Sequence, residues 1–440
     1  MVEKLAIKPH DVTPDGRAVA RGADGAVVFA ARALPGESLR VEPLDRSRGV
    51  IHARTLEVLQ AAPGRTLPSC PAYARCDGCQ WLHADEPTEY TLLESALASQ
   101  LARLSRLTLP APEPAIRLPR AASRDRLSLQ LDESGTLYWL GPDVPRGQSR
   151  ARHSPWLGAD GGTGCPVAHP ELNELGRELQ ETLRRVWSSA LQHELRAARR
   201  LGHVPHVVLA RSPGSVRASL AWGNAPLARL LDPAMAAEPL WIAQQDPARA
   251  NPVSWYGTTI HNDPRGFYQP SLAGAAALAE TLRDWTADQR YGTLYDIYGG
   301  QGLWAWALAD RCERACIVDA SDYRPQASPV AWRWQRTDLS REQLSVREAY
   351  GGLPPMAQDL VVLDPPRAGL SPALIAALCG SEARHLIYVS CGPDAMARDL
   401  QRLHAGGGWQ STRWRIVHQF PGSGHAELIA ELRRPGPNLH

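Results

Sequence analysis

A multidomain α/β chain is predicted from the 440 residues. It comprises a small OB-like β-barrel over residues 1–62, a central α+β unit over 63–260 with a cysteine cluster, and a Rossmann-like doubly wound domain over 261–440. Three observations predict it. Short alternating strands punctuated by Gly and Pro fill the first 62 residues, closely spaced cysteines follow, and strands alternate with helices beyond about residue 270. The length fits about three domains at roughly 150 residues each. A composition of 44% apolar and 21% charged residues is ordinary for globular proteins. Disorder, collagen and small disulfide scaffolds are thereby excluded. No stretch approaches the roughly 20 apolar residues of a membrane span. The N-terminal MVEKLAIKPHDVTPDGR has no apolar signal-peptide core, so a cytoplasmic protein without a membrane partner is expected.

The barrel rests on GAVVFAARAL, ESLRVEPL and GVIHARTLEVL, with a sharp turn at Leu34-Pro35-Gly36-Glu37. Leu93, Leu97, Leu101 and Leu104 recur at helical spacing and predict a helix over 86–107 with a core-facing stripe. Residues 108–260 mix short strands (RLSLQL, HVVLA, VRASLAW) with a charged helix near 171–200 and a flexible GADGGTG segment. Farther on, TLYDIY, ACIVD, DLVVLD and HLIYVS are apolar runs of the kind buried in parallel sheets. LWAWALADRC, PALIAALC and DAMARDLQRLH read as the intervening helices, and WRIVHQF and AELIAEL close the chain as a β pair.

Net charge is only +2, but residues 100–230 hold 18 Arg against 11 acidic residues, which suits a surface for a polyanion. Lysine occurs only at Lys4 and Lys8. Of eight cysteines, Cys70, Cys76 and Cys79 form C-x5-C-x2-C in a loop bounded by Pro68 and Pro71, and Cys165 in GCPVAHP is the best-placed fourth ligand. Four thiolates suit zinc or an iron–sulfur cluster. Cys312, Cys316 and Cys379 read as core packing.

The nucleotide-like domain carries the chemistry. Gly299, Gly300 and Gly302 in DIYGGQG follow its first strand, where glycines let a ligand approach the backbone. Asp319 ends the next strand, placed to hold ribose hydroxyls, so an adenosine-containing cofactor is expected. DPPR at 364–367 and Cys391 in SCGP end two later strands, at the edge where open α/β sheets bind ligands. A helix starting near Pro393 is expected to lower the Cys391 pKa and make the thiolate a nucleophile. Glu427 in HAE opens the last strand within reach of the crevice as a general base.

Together these motifs resemble the S-adenosylmethionine-dependent RNA uracil-5-methyltransferases, and within them the bacterial branch that methylates 23S ribosomal RNA. The resemblance covers nearly the whole chain. It implies a TRAM domain at 1–62, a central RNA-binding unit, and a 4Fe-4S cluster on Cys70, Cys76, Cys79 and Cys165, with zinc as the lesser alternative. It implies cofactor contacts from Gln269 (in FYQP), Tyr298, Gly300, Gly302, Asp319 and Asp364, with Cys391 as nucleophile and Glu427 as base. In that mechanism Cys391 adds to C6 of uracil, C5 takes the methyl group, and Glu427 removes the C5 proton. Arg124 and Arg126 would hold flanking RNA, and a monomer is expected. This chain departs from the family at Leu303, where a polar Asn is usual, and at Asp319, where Glu is common. The stretch from Asp319 to Asp338 is shortened, and FPGSGHAE replaces a form richer in His and Thr. Transfer RNA as substrate, or an RNA-binding protein with a degenerate enzyme domain, stay open as alternatives.

Overall fold

A computed structural model describes residues 4–435 except 143, 145–147, 158–161, 222–224, 239, 242–250, 256–257, 263–268 and 322–329. Part of the GADGGTG segment and Phe267 and Tyr268 of FYQP therefore lie outside the described residues.

Six strands open the chain: β1 (Leu5–Ile7), β2 (Asp11–Val12), β3 (Arg17–Arg21), β4 (Val27–Ala31), β5 (Ser38–Ser47) and β6 (Val50–Gln60). They form one sheet in the order β1-β5-β6-β4-β3-β2. β1 pairs with β5 and β2 with β3, and only residues 8–10 separate β1 from β2, so the first and last strands of this order are neighbouring pieces of one segment. Burial alternates along β3 and β4, and the inward Ala18, Ala20, Val28 and Ala30 are fully enclosed. The Leu34–Glu37 turn does more than reverse the chain. Glu37 is buried, accepts the Leu34 amide at 2.9 Å, and is paired with Arg65.

Helix α1 (Glu86–Ser105) follows the cysteine loop. Asp85 caps it by accepting the Thr88 amide, and Arg106 ends it in a left-handed conformation. Next come β7 (Ile116–Arg117), β8 (Arg126–Leu131), β9 (Leu137–Leu140), β10 (Arg152–His153), α2 (Pro170–Val186), α3 (Ser189–Arg200), β11 (His206–Ser212), β12 (Ser215–Ala221) and α4 (Ala225–Ala234). The single charged helix expected near 171–200 is two helices. Trp187 turns extended, and the Ser188 hydroxyl starts α3 by accepting the Leu191 amide. Strands β10-β9-β8-β11-β12 make a five-stranded sheet that shares a core with α2, α3 and α4. A separate hairpin joins β13 (Asn251–Trp255) to β14 (Thr258–Asn262).

The rest of the chain supplies α5 (Leu272–Trp285), β15 (Tyr291–Ile297), α6 (Leu303–Ala307), β16 (Cys312–Asp319), β17 (Ala331–Arg336), α7 (Val346–Tyr350), β18 (Leu360–Leu363), α8 (Pro372–Gly380), β19 (His385–Ser390), α9 (Pro393–Gly407), β20 (Gln410–His418) and β21 (Glu427–Arg433). Their sheet runs β17-β16-β15-β18-β19-β21-β20-β7. Strands β15 to β19 are mutually parallel, β21 is antiparallel to both its neighbours, and β7 pairs with β20. This is the doubly wound arrangement expected, with its switch point between β15 and β18. One apolar core lies on each face. Leu93, Leu97 and Leu101 of α1 pack with Leu374, Met396 and Leu400 on one side, and Leu278, Leu282 and Trp304 fill the other. No helix among the described residues is long and apolar enough to cross a membrane.

Thus α1 and β7, from the segment before residue 120, are built into the sheet that ends the chain. Glu89 of α1 is buried, pairs with Arg120, and accepts the Gly422 amide at 2.5 Å in the loop before Glu427. Replacing Glu89 by Ala strips a half-buried guanidinium and a buried amide of their acceptor. A loss of roughly 3–5 kcal/mol in urea unfolding is expected, and less for Glu89→Gln, which keeps an acceptor. An unchanged midpoint for Glu89→Ala would show that the contact adds nothing to stability.

Candidate active site

The site forms where β15, β16, β18 and β19 end and β21 begins. Because β21 runs antiparallel to β19 with Ser390 opposite Leu428, the residue after one strand and the first residue of the other, Cys391 and Glu427, fall side by side. Asp364 follows β18 at the same edge. Gln269 lies just before Ser271, whose hydroxyl caps α5 by accepting the Gly274 amide.

Three of these side chains, with Gln419, form a hydrogen-bonded chain. Gln269 Nε2 donates to Asp364 Oδ2 at 3.0 Å. Gln419 Nε2 donates to Gln269 Oε1 at 3.4 Å and to Glu427 Oε1 at 2.8 Å. Gln419 is fully buried, and the sequence marks it only as a Gln directly after a strand. Burial pushes the Glu427 carboxyl up to about 8, helped by the charge of Asp364 and opposed by Gln419 and Arg367. Asp364 is pushed up to about 7, again chiefly by burial, with the Gln269 bond opposing and Asp319 adding.

Cys391 does not have the lowered pKa expected from the α9 N-terminus. Burial raises its thiol to about 11, Glu427 and Asp364 raise it further, and Arg367 lowers it through its charge and a hydrogen bond. The physical reason is the crevice itself, in which desolvation and two carboxyl neighbours outweigh a helix end without a side-chain cap.

The glycine loop lies beside this group. Tyr298 has φ +61°, uncommon for a residue with a side chain, and its amide donates to the Val318 carbonyl. Gly302 starts α6 at φ +80°, and a Cβ there would sit 2.7 Å from Ile317, so only glycine fits. Asp319 is joined to the loop: its Oδ2 accepts the Gly300 amide at 3.0 Å and its Oδ1 the Ser321 amide at 2.7 Å. Asp296, not singled out in the sequence, is fully buried beneath the loop. Its Oδ2 accepts the Ala305 amide at 3.2 Å, and burial lifts its pKa to about 8. Asp338, by contrast, caps Ser340 on the surface.

Two cavities flank this group. One, of about 820 Å³, runs between the N-terminal sheet and the catalytic edge and is lined by Arg17, Phe29, His52, Arg103, Arg367 and Cys391 among others. Phe29 and His52 stack in it, with ring centroids 5.6 Å apart. The second, of about 530 Å³, is lined by all four predicted ligands, Cys70, Cys76, Cys79 and Cys165, together with Arg124, Arg126 and Pro270. Arg32 reaches from the N-terminal sheet to hold this loop by the carbonyls of Tyr73, Ala74 and Cys76, and Asn173 clamps both backbone atoms of Cys165. Among the described residues, no three Cys, His, Asp or Glu side chains gather closely enough to hold one metal ion. Arg124 stacks over Phe420, next to Gln419, at 4.6 Å.

Comparisons with known proteins agree with this architecture. The family described as tRNA (Uracil-5-)-methyltransferase matches residues 352–434, the stretch containing Asp364, Cys391 and Glu427. A 23S rRNA (uracil(1939)-C(5))-methyltransferase of Chromohalobacter salexigens is 30% identical, over 96% of this chain and 88% of its own. The enzyme of the same name from Pectobacterium carotovorum is 27% identical over 97% and 93%. Among solved structures, the tRNA (uracil-54, C5)-methyltransferase of Pyrococcus abyssi in complex with S-adenosyl-L-homocysteine superposes with a TM-score of 0.61. It covers 98% of this chain and all of its own at 18% identity, a likeness of fold.

The electrostatics around Cys391 give a direct expectation. Iodoacetamide should label the Cys391 peptide slowly at pH 7 and faster as pH rises toward about 11, read by mass spectrometry. Arg367→Ala removes the cation that lowers the thiol pKa and should slow labelling at every pH below that. Fast labelling at pH 7 would contradict the raised pKa.

Proposed function

The chain belongs to the RNA uracil-5-methyltransferase family, and from that membership we propose that it transfers the methyl group of S-adenosylmethionine to C5 of one uridine in 23S ribosomal RNA, acting as a cytoplasmic monomer. The observation that carries the reading is the pairing of Cys391 with Glu427 across β19 and β21, beside Asp364 and Gln269. S-adenosylmethionine supplies the electrophilic methyl group, in a crevice built by Gln269, Tyr298, Gly300, Gly302, Asp319 and Asp364. Cys391 Sγ loses its proton and bonds to C6 of uracil, which turns C5 into an enolate-like nucleophile. After C5 has taken the methyl group, with the methyl–sulfur bond broken and S-adenosylhomocysteine as leaving group, Glu427 Oε2 would accept the C5 proton. The C6–S bond then breaks and returns the thiolate. Glu427 Oε2 is buried and, among the described residues, accepts no hydrogen bond, so it is free for that proton.

We assign residues 1–62 as the TRAM-like unit, 63–260 as the central RNA-binding unit and 261–440 as the methyltransferase unit. The 820 Å³ cavity is the entry for a flipped uridine, at an unstacking cost of a few kcal/mol. Arg124 and Arg126 line the thiol cavity, and their place beside RNA is by contact with flanking phosphates.

The four thiols line one cavity, and a set of four cysteines is a donor set that would hold a 4Fe-4S cluster. Methyl transfer moves no net electrons, so the cluster's task would be to fasten the 70–79 loop to Cys165. Zinc is the second reading.

Three outcomes test these assignments. With labelled S-adenosylmethionine, ribosomal RNA should gain label at uridine C5 and Cys391→Ala should transfer none. Label on transfer RNA instead would overturn the substrate. Values of kcat/KM, which report the free enzyme, should rise through a first limb near pH 8 as Glu427 ionises; a flat profile there would remove Glu427 as base. Finally, Cys76→Ser should lose the visible thiolate–iron absorption and its iron and sulfide. Retention of all three would exclude Cys76 as a ligand.

A further inference from the structure

Gln419 occupies a costly position for a residue that only fills space. Both N–H groups of its amide are spent, one on Glu427 Oε1 and one on Gln269 Oε1. Its own Oε1 is buried and accepts no hydrogen bond among the described residues. A buried unpaired acceptor costs on the order of 1–3 kcal/mol, and a leucine or methionine would fill much the same volume without that penalty. The surrounding chain also makes room for it. Gly274, in the first turn of α5, has no side chain where a Cβ would lie 2.5 Å from the Gln419 Cβ and closer still to its Oε1.

The orientation of the chain is fixed by chemistry. Where the two carboxylates are ionised they only accept, so each glutamine then presents nitrogen to its carboxylate, and the remaining nitrogen–oxygen contact runs from Gln419 to Gln269. Asp364 and Glu427, one on the β18 loop and one on β21, are thus joined through two amides.

We propose that Gln419 is a positioning residue for the general base: it pins Glu427 Oε1 and ties it through Gln269 to Asp364, leaving Oε2 as the single oxygen aimed at the C5 proton. This inference rests on Glu427 being the base. The shorter hydrogen bond of Gln419 goes to Glu427, so its place is at proton removal and release of Cys391, after methyl transfer. The direction of its electrostatic effect agrees. Its bond favours the ionised form of Glu427, and losing that bond moves the ionisation upward.

Single-turnover reactions with labelled S-adenosylmethionine and RNA test the proposal, with the covalent protein–RNA adduct followed on denaturing gels. For Gln419→Leu, label should reach RNA at close to the wild-type rate, while adduct decay slows by roughly tenfold or more and its pH limb moves upward by about a unit. Gly274→Ala should push Gln419 aside and give the same pattern more weakly. It also decides the matter if Gln419→Leu does not fold. Adduct decay with wild-type rate and pH dependence would overturn the proposal. So would a parallel loss of cofactor affinity and methyl transfer with no adduct build-up. Glu427→Gln separates the two layers: if that variant releases product normally, the assignment of the base fails, whatever Gln419 does.

Discussion

The structure hangs on one reversed strand. Inserting β21 antiparallel between β19 and β20 brings the start of one strand to the end of another, and Glu427 beside Cys391. Were β21 parallel to β19, its first residue would lie at the opposite edge of the sheet, a full strand length from the thiol. The pairing register fixes the lateral placement too, because a slip of one residue would turn Glu427 to the other face. The buried glutamine bridge and the Gly422 anchor on α1 both serve to keep that strand start in place.

Within the crevice the same desolvation acts on every ionisable group. Asp296, Asp364 and Glu427 are all held toward their neutral forms, and Cys391 toward its thiol. Desolvation therefore opposes charge on each of these groups, while Arg367 favours the ionised forms of Cys391 and Glu427. A site of that kind stores no large repulsion among its carboxyl groups, and each ionisation becomes an event tied to ligand binding or to a chemical step. Near-neutral carboxyl pKa values are what acid–base work at physiological pH requires.

Much of this was legible in the sequence. The parallel strands announced themselves as short apolar runs, and strand-end motifs located Asp364, Cys391, Asp319 and Glu427 because ligands in such sheets gather at one edge. What stayed hidden depends on partners far away in the chain. β17 (AWRWQR) is an edge strand with mixed polarity, and β7 is two residues long, so neither carries a periodic signal. Gln419 and Asp296 look ordinary until burial and hydrogen bonding distinguish them. The thiol pKa was misjudged for a related reason: a helix end is visible in sequence, whereas desolvation by the assembled crevice is not.

The way α1 and β7 are threaded into the last sheet governs how the molecule comes into being. Residues 86–117 find their seats on α9 and β20, which leave the ribosome some three hundred positions later. The early segment must wait, with its leucine stripe uncovered, until the final strands emerge. Folding of this topology is accordingly late, highly non-local and slow to nucleate, and it passes through a period in which the nascent chain needs shielding from aggregation. Assembly is all or nothing as well: no crevice exists in any shortened product of synthesis that stops before β21, so an interrupted chain holds the nucleophile without its base.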